Sequence, residues 1–333
     1  MNITTKGEGL YMSTRRDIRK IGIIGCGTIG LGWATFFALK GLKTNLYDEQ
    51  ADILKYATDR IKINLDFLVN IGEMNDSQYV NALTNISIFK DLRQCIDDVD
   101  FVQESIYENY NAKKNLYNNL DQILEKEIII ASSSSGLLMT EIQKAVKNYP
   151  ERCVIGHPIN PVYLIPLVEV VPGKETSNQT VQFTKEFYEN NDKVPVVLKK
   201  EVPGYLENRL TAALWREAID LVVNDVASVE DVDKAIWAGP GLRYALLGPH
   251  LIYHLGGGEG GIKYFIHHLE GAFKQWWEDM NCWKELPKNA SEKLYEGIVE
   301  SMKGKSIKEI STWRDRKLVE LLKVVDIKKN YSN

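Results

Sequence analysis

Short apolar runs alternate with helical patterns through the first two hundred residues of this 333-residue chain. Ile21-Gly-Ile-Ile24 is an unbroken apolar stretch, the pattern of a strand buried on both faces. It runs into Gly25-Cys-Gly-Thr-Ile-Gly30, and then into a helical pattern over Leu31–Leu39 that stops at Gly41. Thr44–Tyr47 predicts the next strand, ending at Asp48, and a long helical stretch follows to about Val69 before a polar turn. Further strands are predicted over 100–104, 127–131 and 152–156, with helices over 110–124 and 139–147. Residues 168–171 and 194–198 extend the same sheet. Strands alternating with helices predict a parallel sheet with both faces covered.

The pattern changes near residue 200. Pro203-Gly204 opens a long helix over about 205–223, with apolar residues at helical spacing, and no strand is predicted after it. Six of the seven tryptophans lie in this later part, which gives it a different texture. The chain therefore divides into a flexible polar leader (1–17), an α/β domain (18–200) and an all-α domain (201–333). The leader has no apolar segment of the secretory type, and no run of about 18 apolar residues predicts a membrane span.

Charge and cysteine content narrow the function. The net charge is −4 and the signs are mixed along the chain, which argues against a nucleic-acid surface. Cys26, Cys95, Cys153 and Cys282 form no CxxC pair. No disulfide framework or metal site is expected, and a cytoplasmic location fits. His250, His254, His267 and His268 have no spacing that suggests metal ligands.

Gly25-x-Gly27-x-x-Gly30 lies between a predicted strand and a predicted helix. The first glycine permits a tight turn, the second lets backbone approach a pyrophosphate, and the third lets helix and strand pack closely. The following helix, beginning at Thr28 and Ile29, offers unpaired N–H groups to the phosphates. Asp48 ends the second strand about 20 residues further on, where an acid bonds the ribose hydroxyls and repels the 2′-phosphate of NADP. The motif predicts NAD as cofactor and a Rossmann-type, doubly wound parallel sheet.

The second chemical feature is Gly156-His-Pro-Ile-Asn-Pro161 followed by Leu167-Val-Glu-Val170. It reads as a histidine in a proline-bounded turn and a glutamate at the end of an apolar run. An imidazole suits removal of a hydroxyl proton while hydride leaves the same carbon, and a carboxylate on the far nitrogen fixes its tautomer. His157 and Glu169 are the candidates. A structural histidine and a solvated strand-end acid are the alternative reading of the same spacing.

Six segments, matching in order and spacing, carry a resemblance to the L-3-hydroxyacyl-CoA dehydrogenase superfamily. They are Gly25–Gly30, Gln103-Glu-Ser with Glu108-Asn109 and Lys113, Ala131–Leu137, His157–Pro161, Leu167–Val170 and Pro203–Arg209. The resemblance implies His157 as base, Glu169 as its partner, and Ser135 and Asn208 beside the substrate oxygen. It also implies that Glu108, Lys113 and Asn160 line the nicotinamide side of the cleft. Ser132–Ser134 are read as turn residues, and Arg209 as a helix-face or interdomain ion pair.

Pro158-Ile159 departs from the coenzyme A enzymes, and residues 51–80 carry no basic clamp for phosphates. Residues 228–249 and 253–277 are instead similar to the branch acting on small free L-3-hydroxy acids such as carnitine and gulonate. A trimethylammonium group needs aromatic faces, and a carboxylate suits a guanidinium. Arg243, Tyr244, Tyr253, Trp276 and Trp277 are the substrate candidates, with helix or interface packing as the alternative for the aromatics. The expectation is an NAD-dependent 3-hydroxy acid dehydrogenase, homodimeric by resemblance, with carnitine ahead of gulonate or an acyl-CoA as substrate. A non-enzymatic, crystallin-like dinucleotide-binding protein is the rival from another class.

Overall fold

A computed structural model describes residues 17–325. The predicted leader lies, except for Asp17, outside the described residues. The N-terminal part alternates β1 (Lys20–Ile24), α1 (Thr28–Leu39), β2 (Lys43–Tyr47), α2 (Ala51–Asn70), α3 (Asp76–Thr84), β3 (Ile86–Phe89), α4 (Leu92–Cys95) and β4 (Phe101–Glu104). It continues with α5 (Tyr110–Ile123), β5 (Ile129–Ser132), α6 (Met139–Gln143), β6 (Cys153–Pro158), β7 (Leu167–Pro172), α7 (Asn178–Asn190) and β8 (Val194–Val197). Helices follow: α8 (Glu207–Val223), α9 (Val229–Trp237), α10 (Pro240–Leu246), α11 (Pro249–Gly256), α12 (Gly261–Asp279), α13 (Ala290–Ser301) and α14 (Ile307–Val324).

The eight strands form one sheet in the order β3-β2-β1-β4-β5-β6-β7-β8. Its first six positions are the doubly wound order, which reverses between β1 and β4 and opens a crevice there at the carboxyl ends of the strands. Apolar side chains of β1, β4, β5 and β6 separate onto the two faces. Ile21 and Ile23 pack with Trp33, Phe37 and Tyr188 of α1 and α7. Ile24, Val102 and Ile130 pack with Tyr117 and Leu120 of α5. Burial on both faces is why these strands read as continuous apolar runs.

One pairing breaks the parallel pattern. β7 runs antiparallel to β6, with His157 opposite Glu169 and Pro158 opposite Val168. The expected turn at His157 is therefore a strand, because pairing with β7 carries β6 through Pro158. A proline is tolerated there because it is the terminal residue of the strand. α3 and the edge strand β3 have no counterpart in the sequence expectation. α3 starts at a capping box in which Asn75 and Gln78 each accept the other's backbone N–H. The helix expected over 139–147 is shorter, ending at Gln143.

Candidate active site

The crevice is walled by the loop after β1. Gly25 has φ +98°, and a Cβ there would lie 2.5 Å from the Ser105 carbonyl oxygen after β4. A Cβ on Gly30 would lie 1.8 Å from the Gly25 oxygen, so only glycine lets α1 pack this close. Gly27, the N-cap of α1, faces open space: nothing lies within 4 Å of the position a Cβ would take. No side chain caps this helix start and no acid lies in its first turn, so the N–H groups at Thr28 and Ile29 remain for an anion. Asp48 ends the adjacent β2 and accepts N–H bonds from Cys26 (2.8 Å) and Gln50 (2.9 Å). A carboxylate has about four acceptor sites, so capacity for a ribose remains. These residues fit a dinucleotide: bare donors for its phosphates, room beside Gly27 and an acid for its ribose.

His157 and Glu169 meet at the carboxyl end of the sheet. Residues directly opposite in an antiparallel pair project to the same face, so register brings the two side chains together. His157 Nδ1 lies 2.8 Å from Glu169 Oε2. The second carboxylate oxygen, Oε1, accepts the backbone N–H groups of Leu206 (2.8 Å) and Glu207 (3.0 Å) at the start of α8. Glu169 is 1 % exposed and His157 4 %. Burial alone would raise the Glu169 pKa. The bonds from His157 and from the two backbone amides outweigh it and hold the carboxyl below its ordinary value. An ionised Glu169 keeps the proton on Nδ1, leaving Nε2 as the acceptor. Nε2 has no protein partner among the described residues. The Tyr205 ring stands edge-on to the imidazole, centroids 5.5 Å apart, and its hydroxyl donates to the Leu137 carbonyl (2.6 Å).

Ser135 and Asn208 are brought together across the two halves of the chain, since Asn208 Nδ2 donates to the Ser135 carbonyl at 2.7 Å. One amide N–H of Asn208 is thereby used and one remains. Glu108 shapes the Ser135 loop: its Oε1 accepts from the Ser134 hydroxyl (2.6 Å) and from the N–H groups of Ser135 (2.9 Å) and Gly136 (3.0 Å). This carboxylate is spent on the loop rather than simply lining a cleft. Lys113 departs further from expectation. It is buried beneath the loop, its Nζ 2.6 Å from Glu104 Oε1, whose other oxygen accepts from Ser132 Oγ at 2.6 Å. A lysine buried and paired in this way braces α5 against β4 and has no free face for a cofactor. Asn160 lies exposed in the turn after β6.

Of the expected turn residues Ser132–Ser134, Ser132 is instead the last residue of β5, and all three are buried. Ser133 Oγ collects Trp33 Nε1 (3.1 Å), Gln103 Nε2 (2.9 Å) and Ser105 Oγ (2.8 Å). Gln103 in turn accepts from Tyr188 OH at 2.6 Å and reaches the carbonyl of Gly156, next to His157, at 3.3 Å. Sequence reasoning missed this network, although Gln103 and Ser133 stood inside the matching segments.

The five substrate candidates lie on α10, α11 and α12. Arg243 and Tyr244 lie on α10. Tyr253 on α11 packs its ring at a tilt against Phe265 (4.9 Å), and Phe273 contacts Trp276 (4.9 Å) and Trp277 (5.5 Å) on α12. Among the described residues none of the five bonds to His157, Ser135 or Asn208, and none lines the cavity at Asn208. The two tryptophans are 55 % and 65 % exposed. The cavity that includes Asn208, about 670 Å³, is lined instead by α8 (Arg209, Trp215, Arg216) and by Trp283 and Lys284. Arg209 has no ion-pair partner among the described residues and reaches only the Pro203 carbonyl at 3.4 Å. Trp283 is oriented by Asp220 Oδ1, 3.1 Å from its Nε1.

Comparison with known proteins decides the family. The 3-hydroxyacyl-CoA dehydrogenase NAD-binding domain matches residues 20–202, and the C-terminal domain of the same enzymes matches residues 204–297. The chain belongs to the 3-hydroxyacyl-CoA dehydrogenase family. Its cofactor is NAD and it is an NAD-dependent dehydrogenase acting on a 3-hydroxy group. Within the family it is 36% identical over 312 residues to an L-carnitine dehydrogenase of Streptomyces coelicolor, covering 94% of this chain and 96% of that one. It is also 35% identical over 313 residues to a 3-hydroxyacyl-CoA dehydrogenase of Gibberella moniliformis, covering 92% and 95%. A solved family structure, an NAD⁺-dependent dismutase described as 5-formyl-3-hydroxy-2-methylpyridine 4-carboxylic acid 5-dehydrogenase, superposes with TM-score 0.78 at 30% identity over 92% of this chain and 98% of that one. No helix among the described residues is long and apolar enough to cross a membrane.

Proposed function

We propose that this dehydrogenase oxidises the hydroxyl of a small L-3-hydroxy acid, with His157 as the base, and that L-carnitine, giving 3-dehydrocarnitine, is the substrate. The observation that carries the chemical reading is the 2.8 Å contact between His157 and Glu169. His157 Nε2 accepts the hydroxyl proton, and Glu169 stabilises the imidazolium that results. Ser135 Oγ and the remaining Asn208 N–H hold the substrate oxygen as charge grows on it. When bound, NAD accepts the hydride from the carbinol carbon. Gly25, Gly27, Thr28, Ile29, Gly30 and Asp48 would hold it, Asn160 would border its nicotinamide end, and Glu108 keeps the Ser135 loop in place.

The whole-length similarity to L-carnitine dehydrogenase supports the choice of substrate. The indoles of Trp215 and Trp283 beside Asn208 add to it, since aromatic faces attract a trimethylammonium by about 0.5–2 kcal/mol each. Arg243, Tyr244, Tyr253, Trp276 and Trp277 serve this reading only if a second copy of the chain brings them to the cavity. A homodimer is proposed on exposed apolar residues of the helical half, Leu210, Trp237, Leu242 and Leu255 among them, which monomers rarely leave to water. Four free cysteines favour a reducing, cytoplasmic setting. A second reading, an acyl-CoA substrate, draws on Arg209, Arg216 and Lys284 around the same cavity, which suit phosphates.

Initial rates of NAD reduction with carnitine, gulonate and 3-hydroxybutyrate, and of NADH oxidation with acetoacetyl-CoA, separate these readings. The expected result is the highest kcat/KM on carnitine. A preference for acetoacetyl-CoA would overturn the substrate and leave the dyad standing. Asp48→Ala is expected to raise KM for NAD roughly 10- to 100-fold, the loss of a bond to a charged acceptor of about 1.5–3 kcal/mol. An unchanged KM in the same assay would remove Asp48 from the cofactor site.

A further inference from the structure

Lys193 is a buried cation that the hydride chemistry does not use. It directly precedes β8 and is 5 % exposed. Its ammonium donates to the backbone carbonyls of Val162 and Ile165, the latter at 2.8 Å. It also lies over the faces of Phe36 (4.2 Å to the centroid) and Trp33 (5.2 Å), both on α1. The same connection touches α1 a second time, since a Cβ built on Gly32 would come within 2.9 Å of the Val162 Cβ. One side chain thus joins the segment leaving His157 to the helix that begins at the dinucleotide loop.

We infer that Lys193 is a positioning residue for the dehydrogenase reaction: it locks the 159–166 connection, and with it His157 and Asn160, against α1. The inference rests on the reading of His157 as base. An apolar residue would fill the space without the cost of burying a charge, but would leave the Val162 and Ile165 carbonyls without this donor. A charged donor gives stronger bonds than a neutral one and also attracts the two rings. The site is reached from α1 by Lys40, which is paired with Asp192 at 2.6 Å. Tyr163 of the connection faces Arg314 and Asp315 of α14.

Burial, and secondarily Lys40, lower the Lys193 pKa to about 7. Two effects of opposite sign follow. The unfolded chain holds this proton to about pH 10, so the protein's overall stability gains as pH rises from about 7 towards 10. The grip on the connection weakens over the start of the same interval, because the ammonium discharges. A positioning role therefore lowers turnover above neutrality while the fold becomes more stable; a purely structural role would move both the same way.

The test compares wild type, Lys193→Met, Lys193→Arg and His157→Gln in kcat, KM for NAD and Tm between pH 6 and 9. Lys193→Met is expected to lose roughly 10- to 100-fold in kcat with KM for NAD nearly unchanged, the cost of about 1 Å of misplacement. Lys193→Arg is expected to recover most of it and to lack the wild-type decline above neutrality, because a guanidinium stays charged. Lys193→Met with wild-type kcat and pH profile, beside an inactive His157→Gln, would overturn the inference alone. Loss in both lysine variants that simply follows Tm would overturn it as well. If Lys193→Met does not fold, the wild-type and Lys193→Arg profiles decide, and superimposable profiles refute it. An active His157→Gln would instead refute the dyad.

Discussion

His157→Gln is expected to lower kcat by a factor of roughly 100–10,000, the usual contribution of a positioned general base, and to leave NADH binding intact. The two halves of this expectation have separate causes. Glutamine has nearly the reach of histidine and its amide can donate to Glu169, so the buried carboxylate keeps a partner and β6 keeps its register. The residues proposed to hold the phosphates and the ribose lie at the start of α1 and just after β2, whereas His157 is on β6. What disappears is an atom able to accept a proton near neutral pH, since a carboxamide oxygen is too weak a base. Turnover follows by NADH absorbance and binding by NADH fluorescence. Near-normal turnover would remove His157 from the reaction and with it the proposed mechanism.

Glu169 is expected to give two different losses from two substitutions. In Glu169→Gln the amide oxygen can still accept from Leu206 and Glu207, which turns the NH₂ group towards His157 Nδ1. A donor on that side requires Nδ1 to be the acceptor and moves the ring proton to Nε2, where the substrate proton has to go. The expected fall in kcat is about 10³–10⁴, with a loss of unfolding free energy at pH 7 smaller than that of Glu169→Ala. In Glu169→Ala two backbone amides and the imidazole lose their acceptor in a buried place. At about 1–3 kcal/mol for each unsatisfied group, the urea midpoint falls as well as the rate. The wild-type carboxyl sits below its ordinary pKa because bonds from His157, Glu207 and Leu206 outweigh burial. Its contribution is therefore complete above about pH 4.3 and lost as the pH drops through the lower folded value. Urea unfolding of wild type and Glu169→Gln at pH 7 and at pH 3 checks the sign. A gap that widens in acid would contradict it.

Much of this arrangement was legible in the chain before any coordinates. β1 and the glycine loop announce themselves because a strand buried on both faces is uniformly apolar and the turn that follows tolerates only glycine at Gly25 and Gly30. β3 was not legible: Ser87 and Ile88 are exposed, so this edge strand carries little of the apolar pattern that marks its neighbours. The strand expected over 152–156 was legible, but its last two residues, His157 and Pro158, were hidden by the prolines, which signal a turn unless one knows that β7 returns antiparallel alongside. Glu104, Lys113, Ser133 and Gln103 were hidden for another reason. Polar residues, whether on a strand, a helix or a loop, look like surface in a sequence, and only their mutual bonds make burial tolerable. The substrate side was the least legible, because aromatic residues at helical spacing do not say which face meets a ligand. The cavity next to Asn208 turned to Trp215 and Trp283, while Trp276 and Trp277 lie on another helix.

The two amides that Glu169 holds at Leu206 and Glu207 constrain how this enzyme can be recombined. A proline at 207 would suit the opening of a helix in general, yet here it would delete one of the contacts that keep the acid ionised. A hybrid that joins these first two hundred residues to the helices of another dehydrogenase would keep its proton acceptor correctly poised only if the seam falls after Glu207, or if the imported segment begins with the same pair of unblocked nitrogens.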